Sequence, residues 1–140
     1  MEILEELKSG KLRGLKDIKI ASGFKTFPQE LYLLVDTLEV LDLSDNNLSF
    51  LPDDFDRFKK LKRLFLSNNQ FNHVPQILSK LPNLSMFGIR NNHIKIFKEN
   101  TLPLSIKWLI LTDNNLESLP NSIGDLSLLQ KFMISGKYLN

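Results

Sequence analysis

Few side chains in this sequence have the types and spacing that catalysis or metal binding requires. The chain has two histidines, His73 and His93, and no cysteine, so neither a disulfide nor a thiolate metal site can form. Neither histidine has a carboxylate or a second histidine at metal-ligand spacing. The triplet Ser44–Asn46 has the S-D-N form of penicillin-binding enzymes, but the K-T-G motif that accompanies it there is missing. We therefore expect no catalytic residue, no metal and no cofactor, and the chain is not expected to be an enzyme.

Three acids in a short run, Asp53, Asp54 and Asp56, could offer carboxylate oxygens to a hard cation such as Ca²⁺. The run offers fewer oxygen ligands than the roughly six to eight that Ca²⁺ takes. It also follows Pro52, and basic residues come after it, at Lys59, Lys60 and Lys62. Because acids before bases complement the dipole of a helix, we interpret the run as the start of a helical segment.

Composition and charge narrow the class of protein. The 140 residues are 42% hydrophobic and 24% charged, which is ordinary for one globular domain. The net charge of +2, from 18 basic and 16 acidic residues, is too balanced for a protein that binds nucleic acid by neutralising phosphates. The sequence MEILEELKSG lacks the features of a secretory signal, and no apolar run approaches the roughly 20 residues of a membrane span. We expect a cytoplasmic protein with no nucleic acid and no membrane partner.

The elements that would position a functional residue follow from an internal repeat. The spacing L-x-x-L-x-L-x-x-N-x-L, with other apolar residues at some leucine positions, occurs four times, starting at Leu38, Leu61, Leu84 and Ile106. Its second and third apolar residues alternate with other residues, as in a strand with one buried face. The repeat places an asparagine where the chain leaves each strand, at Asn46, Asn69, Asn92 and Asn114. Because an amide both donates and accepts hydrogen bonds, we expect these asparagines to stack in a row and bond backbone groups.

The second half of each unit predicts a return segment. In FLPDDFDRF, HVPQILSKL and SLPNSIGDL, an apolar residue and a proline precede two apolar residues that are three positions apart. A proline suits the start of a short helical or extended segment, since it has no N–H to leave unpaired. The third unit has Lys98 at the proline position and is one residue shorter. Its loop should therefore differ from the others.

The two ends of the chain depart from the repeat. Residues 1–14 are predicted to form an N-terminal cap with an amphipathic helix, because Ile3, Leu4 and Leu7 have helical spacing. Residues 15–37 form an irregular first repeat, residues 38–128 four regular repeats, and residues 129–140 a partial last repeat. Because an uncapped solenoid exposes its core and a strand edge, we expect a homodimer through the C-terminal repeat. Met133, Ile134 and Tyr138 would then be partly covered. The alternative is that the tail SGKYLN folds back and closes the last strand.

The repeat resembles the leucine-rich repeat family over nearly the whole chain. The segments LSMFGIRNN, WLILTDNNLESLPNSIG and LQKFMISG are also similar to the repeat region of bacterial proteins that continue into a protein-kinase-like domain. The resemblance implies an α/β solenoid in a short curved arc, with a parallel sheet on the concave face and short return segments on the convex face. It also implies a non-catalytic protein–protein recognition module. The alternative is a regulatory or substrate-recognition part of a split or truncated kinase-like protein.

Outward-facing strand positions supply the candidate site. Trp108 and Ile110 are large and apolar, yet they alternate with the inward Leu109 and Leu111. Equivalent positions in neighbouring units add other apolar and basic residues, so the predicted partner-binding set is Arg63, Phe65, Met86, Arg90, Trp108, Ile110, Lys131 and Met133. A contiguous apolar patch with a polar rim is typical of a binding site, and Gly88 should leave a depression in it. Two alternatives stay open: cross-strand contacts that only stabilise the sheet, or an oligomer surface.

Overall fold

One short strand from each predicted unit joins a single parallel sheet in the computed structural model, which describes residues 2–134. The strands are β1 (Asp17–Lys19), β2 (Val40–Asp42), β3 (Arg63–Phe65), β4 (Met86–Gly88), β5 (Trp108–Ile110) and β6 (Lys131–Met133). They pair in chain order, and the register aligns equivalent repeat positions across the whole sheet. The alignment of units predicted from the sequence is therefore confirmed, whereas the predicted contact residue Tyr138 lies outside the described residues.

The core lies between the sheet and the return segments. The central residues of the first five strands are buried, at Ile18, Leu41, Leu64, Phe87 and Leu109, while Phe132 of β6 is half-buried. Four buried phenylalanines fill the core towards the return segments, at Phe27, Phe55, Phe58 and Phe71. Aromatic rings there meet mostly edge to face, as at Phe27 and Phe55, whose centroids are 5.6 Å apart. The core is thus continuous from the first unit to the last.

The predicted asparagine row joins each unit to the unit before it. The Asn92 amide nitrogen donates to the carbonyl oxygens of Leu66 (3.0 Å) and Ile89 (3.1 Å), and its oxygen accepts from the Phe71 N–H (2.9 Å). Corresponding bonds are made by Asn46, Asn69 and Asn114. All four side chains are buried. They satisfy backbone groups that the sheet cannot reach, as the sequence predicted.

The return segments are short 3₁₀ helices, at Gln29–Leu34, Phe55–Arg57, Gln76–Lys80 and Asn121–Asp125. Three of them begin directly after a proline, namely Pro28, Pro75 and Pro120. The unit between β4 and β5 has no helix among the described residues, so the predicted departure of the third unit is confirmed. The loss of the proline and of one residue leaves a turn at Asn100 with φ of 58°.

The irregular loop is fastened to the next unit by Glu99. Its carboxylate accepts hydrogen bonds from the backbone N–H groups of Ser122 (2.7 Å) and Asn121 (2.8 Å), at the start of the last 3₁₀ helix. In return, the hydroxyl of Ser122 accepts a bond from the N–H of Asn100 (2.8 Å). The bonds from Ser122 and Asn121 lower the pKa of Glu99 below its ordinary value.

The acidic residues after Pro52 form contacts with other side chains. Only three residues of that segment are helical, and Asp54 makes no capping hydrogen bond. Instead, Asp54 accepts a bond from the Tyr32 hydroxyl (2.5 Å) and lies 3.7 Å from Arg57. Asp56 lies 3.7 Å from Lys59. The acids therefore stand at the start of a helical segment, as expected, and they also form ion pairs and a bond to the preceding unit.

The first unit is covered by the predicted amphipathic helix, α1 (Glu2–Ser9). Leu7 is buried, and Ile3 and Leu4 pack against the core. The helix stops at Gly10, whose φ of 85° suits glycine. Lys8 forms an ion pair with Glu30 of the first return segment at 3.5 Å. Among the residues described, no helix has the length and apolar character needed to cross a membrane.

Replacing one ladder asparagine should destabilise the fold. In an Asn92→Ala variant the Phe71 N–H loses its acceptor inside the protein, whereas the carbonyls of Leu66 and Ile89 still receive amides from Asn69 and Asn114. A buried donor without a partner costs about 1–3 kcal/mol. We expect a loss of unfolding free energy of that size, measured by urea denaturation. The control is Asn83→Ala, which removes one exposed bond to the Lys59 carbonyl, and equal midpoints for both variants would contradict the prediction.

The stabilisation of the irregular loop by the hydrogen bonds of Glu99 should depend on pH. Because the pKa of Glu99 is lowered in the folded chain, its contribution to stability is present above the unfolded pKa and is lost as the pH falls through the folded pKa. Glu99→Gln should therefore lower the melting temperature at pH 7, and the difference from the parent should shrink towards pH 3. The matched control is Glu117→Gln, since Glu117 is exposed and makes no hydrogen bond or ion pair among residues 2–134. A Glu99→Gln difference that stays constant with pH would refute this role.

Candidate partner-binding surface

The outward side chains of the strands form rows that cross the sheet. The strand register aligns the first row as Asp17, Val40, Arg63, Met86, Trp108 and Lys131. The second row is Lys19, Asp42, Phe65, Gly88, Ile110 and Met133. Arg90 lies two residues after Gly88, just beyond the end of β4. The structure therefore places seven of the eight predicted residues on four neighbouring strands, β3 to β6, and Arg90 directly after one of them.

Five apolar side chains of this set form a patch, defined here as Phe65, Met86, Trp108, Ile110 and Met133. Trp108 is 38% exposed and Met133 is 42% exposed, whereas Phe65, Met86 and Ile110 are half-buried. Neighbouring strands in a sheet are about 4.8 Å apart, so side chains of this size contact one another across the strands. The patch is thus contiguous, with its most accessible side chains towards β5 and β6.

Gly88 does not leave the expected depression. A Cβ atom at this position would lie 3.3 Å from Cδ1 of Phe65 and 3.8 Å from Cβ of Ile110. The aromatic ring of Phe65 therefore lies over the backbone of Gly88. It can do so because the glycine has no side chain to occupy that space. The surface is flatter here than the sequence predicted, and Gly88 is part of how the patch is built.

Lys131 holds the indole of Trp108 in place. Its Nζ atom lies 4.8 Å from the centroid of the Trp108 ring, within the range of a cation–π interaction. The two residues are direct neighbours in the register of β5 and β6. Sequence reasoning placed Lys131 on the rim of the patch but missed this contact. The signal was available, since a lysine and a tryptophan occupy the same position in consecutive units.

Two arginines border the patch without an acidic partner. Both Arg63 and Arg90 are exposed, and no carboxylate in the described part of the chain lies within 4.0 Å of either guanidinium. Nearby Lys62, by contrast, pairs with Glu39 at 3.4 Å. The acidic outward residues, Asp17 and Asp42, belong to β1 and β2. The sheet face therefore carries two acids and Lys19 at the β1–β2 end, and cations without a strand acid beside them at the β3–β6 end.

A second, exposed ladder runs along the edge of this face and was missed in the sequence. The side chain of Asn68 donates to Asp45 (2.6 Å), and that of Asn91 donates to Asn68 (2.6 Å). Each of these residues precedes a buried ladder asparagine and has positive φ. Only a few residue types, Asn and Asp among them, tolerate that backbone conformation, so their presence before Asn46, Asn69 and Asn92 was the available signal. This ladder fixes the turn beside the face.

The histidines and acids do not assemble a second site. His93 is exposed, and its Nε2 atom lies 3.2 Å from Oε1 of Gln70. His73 is half-buried instead, and its backbone pairs with that of Ile96. Burial, with a smaller effect of Lys98, lowers the pKa of His73. Within residues 2–134 no three His, Asp or Glu side chains converge on a point that could hold a metal ion.

Sequence comparisons place the repeats in a known group. Residues 36–94 match the leucine rich repeat family, and residues 105–126 match it again, so the matches span more than half of the chain. A probable U2 small nuclear ribonucleoprotein A' of Caenorhabditis elegans is 43% identical over 60 residues, which are 42% of this chain and 23% of that protein. A probable serine/threonine-protein kinase of Dictyostelium discoideum, pats1, is 32% identical over 104 residues, or 70% of this chain and 3% of that protein. The chain thus matches less than a quarter of the length of either relative.

A solved structure has the same architecture. It is the leucine-rich repeat ectodomain of the plant membrane receptor kinase GASSHO1/SCHENGEN3 from Arabidopsis thaliana, in complex with Casparian strip integrity factor 2. The two chains are 27% identical and superpose with a TM-score of 0.70, over 93% of this chain and 16% of that one. The aligned strands, the asparagine row and these similarities all indicate the same family and fold. The chain belongs to the leucine-rich repeat family, and its fold is an α/β solenoid whose parallel sheet forms the concave face.

Proposed function

We propose that this chain is a non-catalytic recognition module that binds a protein partner through the concave face of β3 to β6. The observation that carries the proposal is the contiguous apolar patch of Phe65, Met86, Trp108, Ile110 and Met133. Large exposed apolar patches on a soluble protein mark sites of interaction, whereas apolar residues scattered singly do not. Leucine-rich repeat domains are, in general, non-catalytic recognition folds, which agrees with a site that lacks titratable groups in catalytic geometry.

The residue types of the patch and its rim also favour a protein partner. Tryptophan, methionine and arginine are enriched at protein interfaces, and tryptophan and arginine dominate the binding energy in many of them. Contacts that only stabilise the sheet would explain Phe65, whose ring packs over Gly88. They would not explain why Trp108 and Met133 keep about 40% of their surface in water. An ordered, partly exposed indole is suited to a partner.

A second candidate function is the regulatory or substrate-recognition part of a split or truncated kinase-like protein. It follows from the resemblance of LSMFGIRNN and WLILTDNNLESLPNSIG to repeat regions of bacterial kinase-like proteins. Two of the similar proteins, the Dictyostelium kinase and the plant receptor kinase, also carry kinase in their names. The reading frame beyond residue 140 tests this candidate. Kinase motifs there, or in a neighbouring reading frame that encodes the other part of a split protein, would support this candidate, and their absence from both would contradict it.

We also infer that the isolated chain associates with a second copy through its C-terminal unit. Leu129 and Phe132 are half-buried, whereas Ile106 and Leu109, their counterparts in the preceding unit, are buried. Leu128, directly beside them, is 49% exposed. Partly exposed core residues beside the last described strand favour closure by another chain. The two-fold arrangement is the commonest for identical subunits.

Truncating the two aromatic side chains of the patch should weaken partner binding and leave the fold intact. Trp108→Ala and Phe65→Ala should each reduce affinity by about 2 kcal/mol or more if they are hot spots. The measurement is recovery of the partner by affinity capture, followed by titration, with circular dichroism as the check on folding. Leu104→Ala is the matched control, because Leu104 is 66% exposed but lies on the return segment before β5. Undiminished partner recovery with both folded variants would eliminate the concave face as the site.

Sedimentation should show the isolated 140-residue chain self-associating as its concentration rises. Leu128→Asp should shift the equilibrium to the monomer, because a charge would then have to be buried in the contact. Leu33→Asp provides the control, since Leu33 is also exposed but lies in the first return segment. A strictly monomeric chain at high concentration would refute self-association.

A further inference from the structure

The concave face has a charge pattern that selects the chemistry of its partner. We infer that it binds an extended acidic segment of a protein, in which aromatic or aliphatic side chains are flanked by aspartate or glutamate. This inference rests on the proposed recognition function and names the class of ligand for the same face. It comes from the charges that border the apolar patch and from their separation on the sheet.

The charges divide the face into two unlike halves. On β3 to β6, the outward residues that the structure describes include three cations, Arg63, Arg90 and Lys131, and no acid. On β1 and β2, the outward residues include two acids, Asp17 and Asp42, and one base, Lys19, so this half is negative overall. An acidic segment would therefore be attracted to the half that carries the patch and repelled from the other half. Complementary charge in this arrangement sets the register of a partner as well as its choice.

The two arginines are the strongest determinants because neither is satisfied within the described chain. A guanidinium presents paired N–H donors that match the two oxygens of a carboxylate. Arg63 lies on β3, two positions before Phe65 of the patch. Arg90 lies on the opposite side of the patch, two positions after Gly88. Lys131 is already engaged with the Trp108 ring. Carboxylates of the partner would thus find donors on two sides of the apolar patch.

The separation of the cations fixes the size of the bound segment. Arg90 lies one strand spacing across the sheet and four residues along the strand direction from Arg63, a separation of about 14 Å. An extended chain covers about 3.3 Å per residue. The segment that spans the patch is therefore about five residues long, with acidic residues at its ends and apolar side chains between them.

A single nucleic acid strand would also bring negative charge and flat bases to Trp108. Such ligands need a groove of cations that follows the backbone from phosphate to phosphate. Three cations around an apolar patch, with Asp17 and Asp42 on the same face, do not form such a groove. The net charge of +2 for the whole chain also gives little long-range attraction. A nucleic acid is therefore the disfavoured ligand, and it serves as one arm of the test.

The test uses a library of random 12-residue peptides that contain no tryptophan. Peptides that bind the 140-residue chain are selected from it. We expect the enriched peptides to share aromatic or aliphatic residues flanked by aspartate or glutamate. Trp108 is the single tryptophan of the chain, so binding should change the emission of this residue at the centre of the patch. The double variant Arg63→Glu/Arg90→Glu should weaken the selected peptides at least tenfold. The control Arg13→Glu/Lys80→Glu makes the same charge change at two exposed positions away from the sheet and should leave binding unchanged.

Several results would overturn the inference. Enrichment of basic or uncharged peptides, failure to enrich any peptide, or displacement of the peptides by an oligo-thymidine strand would each contradict an acidic segment. If the natural partner still depends on Trp108 while the selected peptides are not acidic, the proposed function stands and only the ligand class is wrong. If partner and peptides are both indifferent to Trp108→Ala, the concave face itself is not the site.

Discussion

The structure depends on one side-chain amide per unit that bonds to the backbone of two units at once. The nitrogen of Asn69, for example, donates to the carbonyl of Leu43 in the preceding unit and to that of Leu66 in its own. Each bond is modest, but the amide replaces water for buried polar groups that no strand could satisfy, and leaving such groups unpaired is costly. The chain must therefore leave every strand in the same way. Because the chain leaves every strand through the same turn, the units keep the same register.

The register of the sheet follows from that common exit, and the binding surface follows from the register. Phe65, Met86 and Trp108 are separated by more than 20 residues of sequence each, yet they lie on adjacent strands because their units are aligned position for position. A shift of one residue in any strand would turn its outward side chains into the core. The inward leucines and the outward patch are thus two faces of a single constraint, and neither can change register alone.

Much of this arrangement was predictable from sequence because it depends on spacing. The strand register, the buried asparagines, the N-terminal helix and the irregular third unit all follow from which residue recurs at which interval. The contacts that escaped prediction depend on how one side chain leans towards another. The ring of Phe65 over Gly88, the ammonium of Lys131 over Trp108 and the carboxylate of Glu99 on the next helix are of this kind. The spacing of residues in the sequence does not determine side-chain rotamers, because these depend on contacts with the neighbouring unit.

The asparagine bonds also bear on how such a protein can change its length. The carbonyls of Leu43, Leu66 and Ile89 each accept two amide donors, one from their own unit and one from the unit that follows. Every such junction consists of the same donors and acceptors. A unit could be duplicated or deleted between any two of these neighbours, and the new junction would need no group that the old one lacked. Recombination at the repeat period could thus add or remove a strand of the binding face in one step while the core chemistry stays the same.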